Sequence, residues 1–490
     1  MRPGRLRTTL CVLAVAAAAC LVSFRSMYEP DLWWHLAQGR ETAAGHLVRT
    51  NLFSFNYRDY PQPYTSWLFD LAAYVLWTRG GSAAIQAAQA LLVAATIGLT
   101  VLACRVRASC AAAIAVCAFG WLVLEPRAMP RPYLFSFAGM AACAWLIERT
   151  RARRSAGPLL WVPLLVAVWA NVHVECVFGI AFVALFGLCE WIRPRTLPRN
   201  EAARAVGIAV AALACTALNP YGFGLLRYLY ENAFVPQVIA IAELQPPYLP
   251  NYRGIFAWAI LGGGVVALRW RALTLAESAA IALFGLLGFR YLRLTPLVFL
   301  ISAPLVARCI DELNAFGVDR RAVAVTALVA AAMMSRVPIH GLARNLDMGR
   351  LALMPQALFS ERAMAFARER GLNGPVFTSM NLGGFVAWEL YPSALVFQDA
   401  RLQAYPAAHF RAIGDASTSP EAWARLTGGV DWAVVSLPRP NDWSGVGRFD
   451  PAEWSTAYRD EAIEILVRRS GAFGGLILSP TRAVRARAAP

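Results

Sequence analysis

The chain has 490 residues, 58% of them hydrophobic and 16% charged, with a mean hydropathy of +0.47. Soluble domains carry about 25% charged residues, so this composition excludes an ordinary soluble enzyme and indicates a polytopic membrane protein. The net charge of +16, carried by arginine with no lysine, fits arginine-rich cytoplasmic loops obeying the positive-inside rule and speaks against nucleic-acid binding.

Residues 1–7 hold three arginines, and 8–24 form an apolar run about long enough to span a bilayer. A cleaved signal peptide is the competing reading; the many later spans favour an uncleaved first helix with a cytoplasmic N-terminus. A polar stretch, 27–81, follows. Pro30 suits a first helical turn, and Asp31 favours the positive end of the helix. This helix is expected to end at Gly45, and a second is expected over 67–79, capped by Ser66 and closed by Gly80-Gly81. Thirteen residues rise only about 20 Å. If 67–79 spanned, Arg149–Arg154 would face outward, so it reads as an interfacial helix.

Further spans are expected at 82–104, 109–124, 133–148, 159–171, 176–192, 203–218, 255–269, 273–289, 294–308 and 321–336, about eleven in all. This gives a membrane domain, 1–336, with 27–81 as its first outer loop. A linker, 337–355, leads to an extracytoplasmic α/β domain, 356–490. In that domain 376–378, 394–397, 432–436 and 463–467 read as strands, and 355–370 and 420–427 as helices. Gly383-Gly384 is too short a motif for a phosphate loop. All ten cysteines lie in or beside apolar runs, from Cys11 to Cys309, without CxxC or zinc spacing; neither disulfides nor structural zinc are expected.

Glu29-Pro30-Asp31 sets two carboxylates at the outer end of the first span. With a helix starting at Pro30, Asp31 and His35 fall one turn apart on one face, where carboxylate and imidazole can serve in proton transfer. The alternative is a helix start that uses Asp31 only for its dipole. Arg127 and Arg131 (EPRAMPRP) and Arg290 and Arg293 (GFRYLR) stand on outer connectors, where the charge rule disfavours them. A forked guanidinium suits phosphate oxygens, which makes all four candidates for a lipid-linked phosphate; snorkelling to headgroups is the alternative for each. Asn171, His173 and Glu175 form a secondary polar site. His173 with Glu175 is either a metal-ligand or acid/base pair, or part of a tight turn with satisfied polar groups, which the residue types favour. Glu148 and Glu190 read as partners of nearby arginines, and Asp399 with Arg401 as a structural pair after a strand.

On these features the chain resembles the GT-C superfamily, polytopic glycosyltransferases that use polyprenyl-phosphate sugars outside the membrane. These share an inside N-terminus, one span and a large outer loop whose acidic motif lies where Glu29-Pro30-Asp31 lies here. The chain is similar in closer detail, over nearly its whole length, to a group of bacterial multi-span proteins. The shared segments are Pro30-Asp31-Leu32-Trp33-Trp34-His35-Leu36 with Gly39, Arg131-Pro132-Tyr133-Leu134-Phe135-Ser136-Phe137, Trp169-Ala170-Asn171-Val172-His173, Leu218-Asn219-Pro220-Tyr221-Gly222, Gln245-Pro246-Pro247, and the tail segments GGFVAWELYP and VFQDAR.

The resemblance implies a GT-C-like helical membrane fold in the bacterial cytoplasmic (inner) membrane. It implies Asp31 as base, helped by His35 or Glu29, or as a metal holder. Arg127, Arg131, Arg290 and Arg293 would meet the carrier phosphate, and Trp33, Trp34 and Tyr64 the sugar or the interface. The expected partners are a lipid-linked sugar donor, membrane lipids, and a glycan, lipid or protein acceptor. Some branches hold a divalent metal with a second acidic motif. Here the later outer connectors offer no DxD, only Glu125 and Glu175, so no cofactor is certain and a divalent metal stays open. A catalytically inactive scaffold that binds lipid carriers is the alternative. A transporter is disfavoured, because no span shows an interrupted, charged midplane.

Overall fold

The long apolar runs form helices in the computed structural model, which describes residues 3–23, 29–62, 65–234, 242–248, 252–313, 359–437 and 449–476. The expected span 321–336 and the linker 337–355 lie outside these. The described residues form two units. One comprises 3–23, 86–234, 242–248 and 252–313; the other comprises 29–62, 65–85, 359–437 and 449–476.

The first unit is all helical. Its helices include Cys110–Leu124, Tyr133–Arg153, Val162–Val172, Cys176–Ile192, Arg199–Cys215, Arg253–Leu268, Leu275–Arg290 and Thr295–Leu313. These lie close to the apolar runs of the sequence, and Gly224–Phe234 adds a helix within a connector between them. Among the described residues, three helical stretches are long and apolar enough to cross a membrane: Trp67–Arg105, Cys110–Arg127 and Leu292–Leu313. Large apolar side chains point outward on several helices, with Ile260 at 72%, Leu286 at 71% and Trp191 at 53% exposed. Such faces are costly in water and favourable against lipid, which supports membrane association. Tyr133–Arg153, with 21 residues, is about 30 Å long, the thickness of a bilayer core.

Small residues set the spacing inside this unit. Trp169 is fully buried between two glycines: a Cβ at Gly139 or Gly179 would sit 2.6 or 2.7 Å from its indole ring. Glycine here lets neighbouring helices close around one large side chain, the usual packing device where lipid removes the hydrophobic drive between helices.

The second unit is built on a five-stranded sheet of order β2-β1-β3-β5-β4. The strands are β1 (Gly374–Thr378), β2 (Ala394–Val396), β3 (Trp432–Ser436), β4 (Trp454–Arg459) and β5 (Ile463–Arg468). β1 pairs in parallel with β2 and β3, whereas β5 runs antiparallel to β3 and β4. Four of these strands match the sequence reading; β4 does not appear in it, nor do the helices Met380–Leu390 and Ala407–Ala416. Gly383-Gly384 lies inside the first of those helices. A side chain at Gly383 would collide with the Gln398 carbonyl, and a Cβ at Gly384 would lie 3.1 Å from the Trp34 backbone nitrogen. These glycines serve close packing.

The sequence reading joins 27–81 to the spans and sets the tail apart. In the structure 29–62 and 65–85 belong with the tail. The reason is apolar: Leu32, Trp33 and Leu36 on the helix Asp31–Ala43 share one core with Phe385, Val386, Val376 and Val434. The helical stretch Trp67–Arg105 breaks at Gly81 (φ 56°, ψ −147°), backbone that an L side chain resists. Its first part therefore ends where the expected 67–79 helix ends.

Candidate functional site

In the second unit, the acidic motif lies at the start of the helix Asp31–Ala43. Asp31 is part-exposed, and its backbone N–H donates to Glu29 Oε1 at 3.1 Å; Glu29 itself is buried. His35, expected beside Asp31, binds Asp70 instead, with Nδ1 2.5 Å from Oδ1 and both side chains buried. Gly39 explains this pairing. It lies on the same helix face as His35, one turn on, and directly against the Asp70 backbone carbonyl, where no side chain fits. The helix beginning at Trp67 can therefore approach closely enough for the imidazole to reach the carboxylate.

Trp33 is a core residue, 3% exposed, packed against Trp77, Phe359 and Phe385 at centroid distances of 5.3, 5.5 and 4.9 Å. Trp34 is also buried and lies over His35 at 3.6 Å. Tyr64 lies outside the described residues.

A continuous polar network starts at this pair. With the Gln38 amide oriented to satisfy its neighbours, its nitrogen donates to Asp70 (3.1 Å) and its oxygen accepts from Arg401 (3.1 Å) and Gln62 (2.7 Å). Arg401, fully buried, binds Asp399 through Nε and Nη2 at 2.8 and 2.6 Å, and donates to Gln62 and Asn51, both at 2.8 Å. Burial opposes its charge, but the Asp399 carboxylate outweighs burial and the guanidinium pKa is raised. Tyr405 also donates to Asp399, at 3.2 Å. Asp399 and Arg401 thus form the expected pair, and its further partners come from the first loop.

His409 packs beside this network, 4.7 Å from the Tyr405 ring and 2% exposed. Burial depresses its pKa to about 4, although Asp399 pulls the other way. The unfolded chain takes up a proton near pH 6.5, whereas the folded His409 waits until about pH 4. Stability from this residue is therefore full above pH 6.5 and lost between pH 6.5 and 4, by up to about 3 kcal/mol. Thermal unfolding of His409→Phe, followed across that range, is expected to show a flatter pH profile than the wild type. Parallel profiles would refute this.

In the first unit, several connectors between apolar helices converge. Arg127 and Arg131 both bind Glu243 Oε1, at 2.7 and 3.0 Å. Arg127 also lies over the Tyr133 ring at 4.5 Å. Arg293 binds Glu175 Oε1 through Nε and Nη2, at 3.2 and 3.0 Å, and the Leu292 N–H donates to the Gln245 carbonyl at 2.9 Å. Burial alone would raise the Glu243 pKa; Arg127, then Arg131 and Arg293, override it and hold the carboxyl down at about 2. Among the described residues, Arg127 and Arg131 thus gather on Glu243 and Arg293 on Glu175. Arg290 is exposed and stacks on Tyr291 at 4.8 Å.

The residues of the secondary polar site bond mainly to neighbouring helix ends, while Glu175 Oε2 is buried without a hydrogen bond, 3.5 Å from His173. Asn171 donates to the Ala167 and Leu218 carbonyls at 2.7 and 2.8 Å. His173 Nδ1 lies 2.8 Å from Ser136 Oγ and 3.5 Å from Glu175, and Ser136 accepts from Trp169 Nε1 at 2.9 Å. One imidazole nitrogen faces both serine and carboxylate, so this is not the two-sided relay of a nucleophilic triad. Among the described residues no three His, Cys, Asp or Glu side chains converge as metal ligands.

No family model matches the chain, and no curated protein matches it significantly. The sequence reading did not single out Glu243, Ser136, Gln38, Asn51 or Gln62. For Asp70 a signal existed, since it is the single carboxylate of an otherwise apolar helix.

Proposed function

We propose that this chain is an integral-membrane glycosyltransferase of GT-C type. It would move a sugar from a polyprenyl-phosphate carrier to an extracytoplasmic hydroxyl on a glycan, lipid or protein. In this reading about eleven spans cross the bacterial inner membrane, the N-terminus is cytoplasmic and the second unit is extracytoplasmic. Asp31 removes the acceptor proton, the acceptor oxygen attacks the anomeric carbon, and the carbon–oxygen bond to the carrier phosphate breaks. The released phosphate carries the negative charge, which guanidinium groups stabilise.

The observation that carries this reading is the convergence of Arg127, Arg131 and Arg293 around Glu243 and Glu175. A phosphate oxygen is the ligand such forked donors suit. The test is transfer of labelled sugar from a polyprenyl-phosphate donor by the full chain in proteoliposomes. Arg293→Gln is expected to raise the donor KM about tenfold, the loss of one charge-assisted contact. An unchanged KM would remove Arg293 from the carrier site.

The second reading is a scaffold that binds the carrier without turnover. It is favoured by the burial of His35 with Asp70 and of Trp33 in the core, which gives part of the loop motif a packing role. Carrier binding without transfer in the same assay would select it.

A further inference from the structure

We propose that the first unit holds a second phosphate-binding site, where the helix Tyr133–Arg153 ends and Leu275–Arg290 begins. The proposal rests on the membrane reading alone and is independent of sugar transfer. Glu277 Oε1 there accepts from Arg107, Arg308 and Arg151 at 2.7, 3.2 and 3.4 Å, and Glu148 from Arg151 and Arg107 at 2.6 and 3.5 Å. Glu277 Oε2 is taken as well, by the Thr274 N–H of its own helix cap. Arg269 and Glu312, paired at 2.8 Å, flank the group without changing its balance. Among the described residues, Arg107, Arg151 and Arg308 thus share the Glu148 and Glu277 carboxylates in a largely buried place, one cation more than the carboxylates they bond; Asp311, on the helix of Arg308, is engaged with Ser109.

Donors remain as well as charge. Arg151 Nε, Arg308 Nε and Arg308 Nη2 are buried without a hydrogen-bond acceptor, and so is the Thr150 hydroxyl. Glu312 lies 3.6 Å from Arg308 Nε, an ionic contact without a hydrogen bond. Arg151 also lines a cavity of about 20 Å³, together with Glu148 and Glu277, walled by Phe182, Phe186 and Leu305. That is room for one water-sized group, such as a phosphoryl oxygen. An unbalanced buried cation and unmet donors are each costly in an apolar setting, and a single anion offsets both. The helix flanks nearby are apolar and exposed, with Trp191 at 53% and Ile192 at 62%. A phosphate on an acyl-chain lipid therefore fits the surroundings, as between helices of other membrane proteins.

The experiment follows thermal unfolding of the full chain in detergent with three additives: phosphatidylglycerol, phosphatidylcholine and inorganic phosphate. Phosphatidylglycerol is expected to raise the unfolding midpoint and phosphatidylcholine is not. A shift with inorganic phosphate alone would assign the site to soluble phosphate. Arg308→Met removes the excess charge and is expected to weaken the effect at least about tenfold in apparent affinity, whereas Glu148→Gln, which adds net positive charge, is expected to strengthen it. Arg293→Gln separates this site from the outer arginines. Loss of the shift in Arg293→Gln with retention in Arg308→Met would overturn the proposal. So would the lack of any anion-dependent shift in the wild type. If Arg308→Met does not fold, Glu148→Gln decides alone, and an unaltered or weaker response refutes the site.

Discussion

Asp31→Asn is expected to lower the rate of sugar transfer by about 10²- to 10⁴-fold, the contribution of a positioned general base, while yield and fold stay unchanged. Asp31 is the first residue of its helix, part-exposed, with its backbone N–H already held by Glu29. Asparagine keeps the shape and the helix start, and the loss of the carboxylate's interaction with the positive helix end costs about 0.3–1 kcal/mol. The ability to take a proton is lost entirely. The readout is turnover with a polyprenyl-phosphate donor, beside the thermal unfolding midpoint. Full turnover in the variant would remove Asp31 from the base role, and a matching collapse of the midpoint would reduce it to a structural residue. His35 is expected to behave differently. Its Nδ1 is held by Asp70, so His35→Gln should act through stability before it acts on rate.

Arg401→Met is expected to destabilise the second unit by about 3–5 kcal/mol, the usual result of stranding one member of a buried ion pair. Methionine fills most of the aliphatic volume over Phe53, where the guanidinium lies 4.7 Å from the ring. What it removes are the donors to Asp399, Gln62 and Asn51. The Asp399 carboxylate then stays buried without its cation. Denaturant unfolding of the full chain, with limited proteolysis of the tail, measures the loss. The double variant Asp399→Asn/Arg401→Met is expected to be more stable than Arg401→Met, because the stranded charge is gone. A single-variant effect below about 1 kcal/mol would show that the network is not what joins loop and tail.

The sequence made the helices legible because hydrophobic runs in lipid must satisfy their backbone internally, leaving little choice but helix. The run 176–192 became the helix Cys176–Ile192, and 273–289 became Leu275–Arg290. Gly81 was legible as a stop for the same local reason. The helix Met380–Leu390 was not: Gly383-Gly384 stands out in the sequence only as a short phosphate-loop motif, and the Gln398 carbonyl and the Trp34 backbone packed against them explain the glycines. The arginines of the outer connectors were visible as charges in the wrong place; Glu243, which gathers two of them, lies in a connector with no periodic signal. The partner of His35 was hidden for a different reason. Helical spacing proposes Asp31, four residues away, but tertiary approach at Gly39 delivers Asp70, thirty-five residues away.

The Arg401–Asn51 contact joins residues 350 positions apart. The ribosome therefore exposes Gln38, Asn51 and Gln62 long before their shared cation exists. Throughout synthesis of the intervening helices, these polar groups must rest on water or on a chaperone. Closing so long a loop is slow and late. A nascent chain arrested before residue 399 would present an unfinished first loop, and quality-control proteases would meet it in that form.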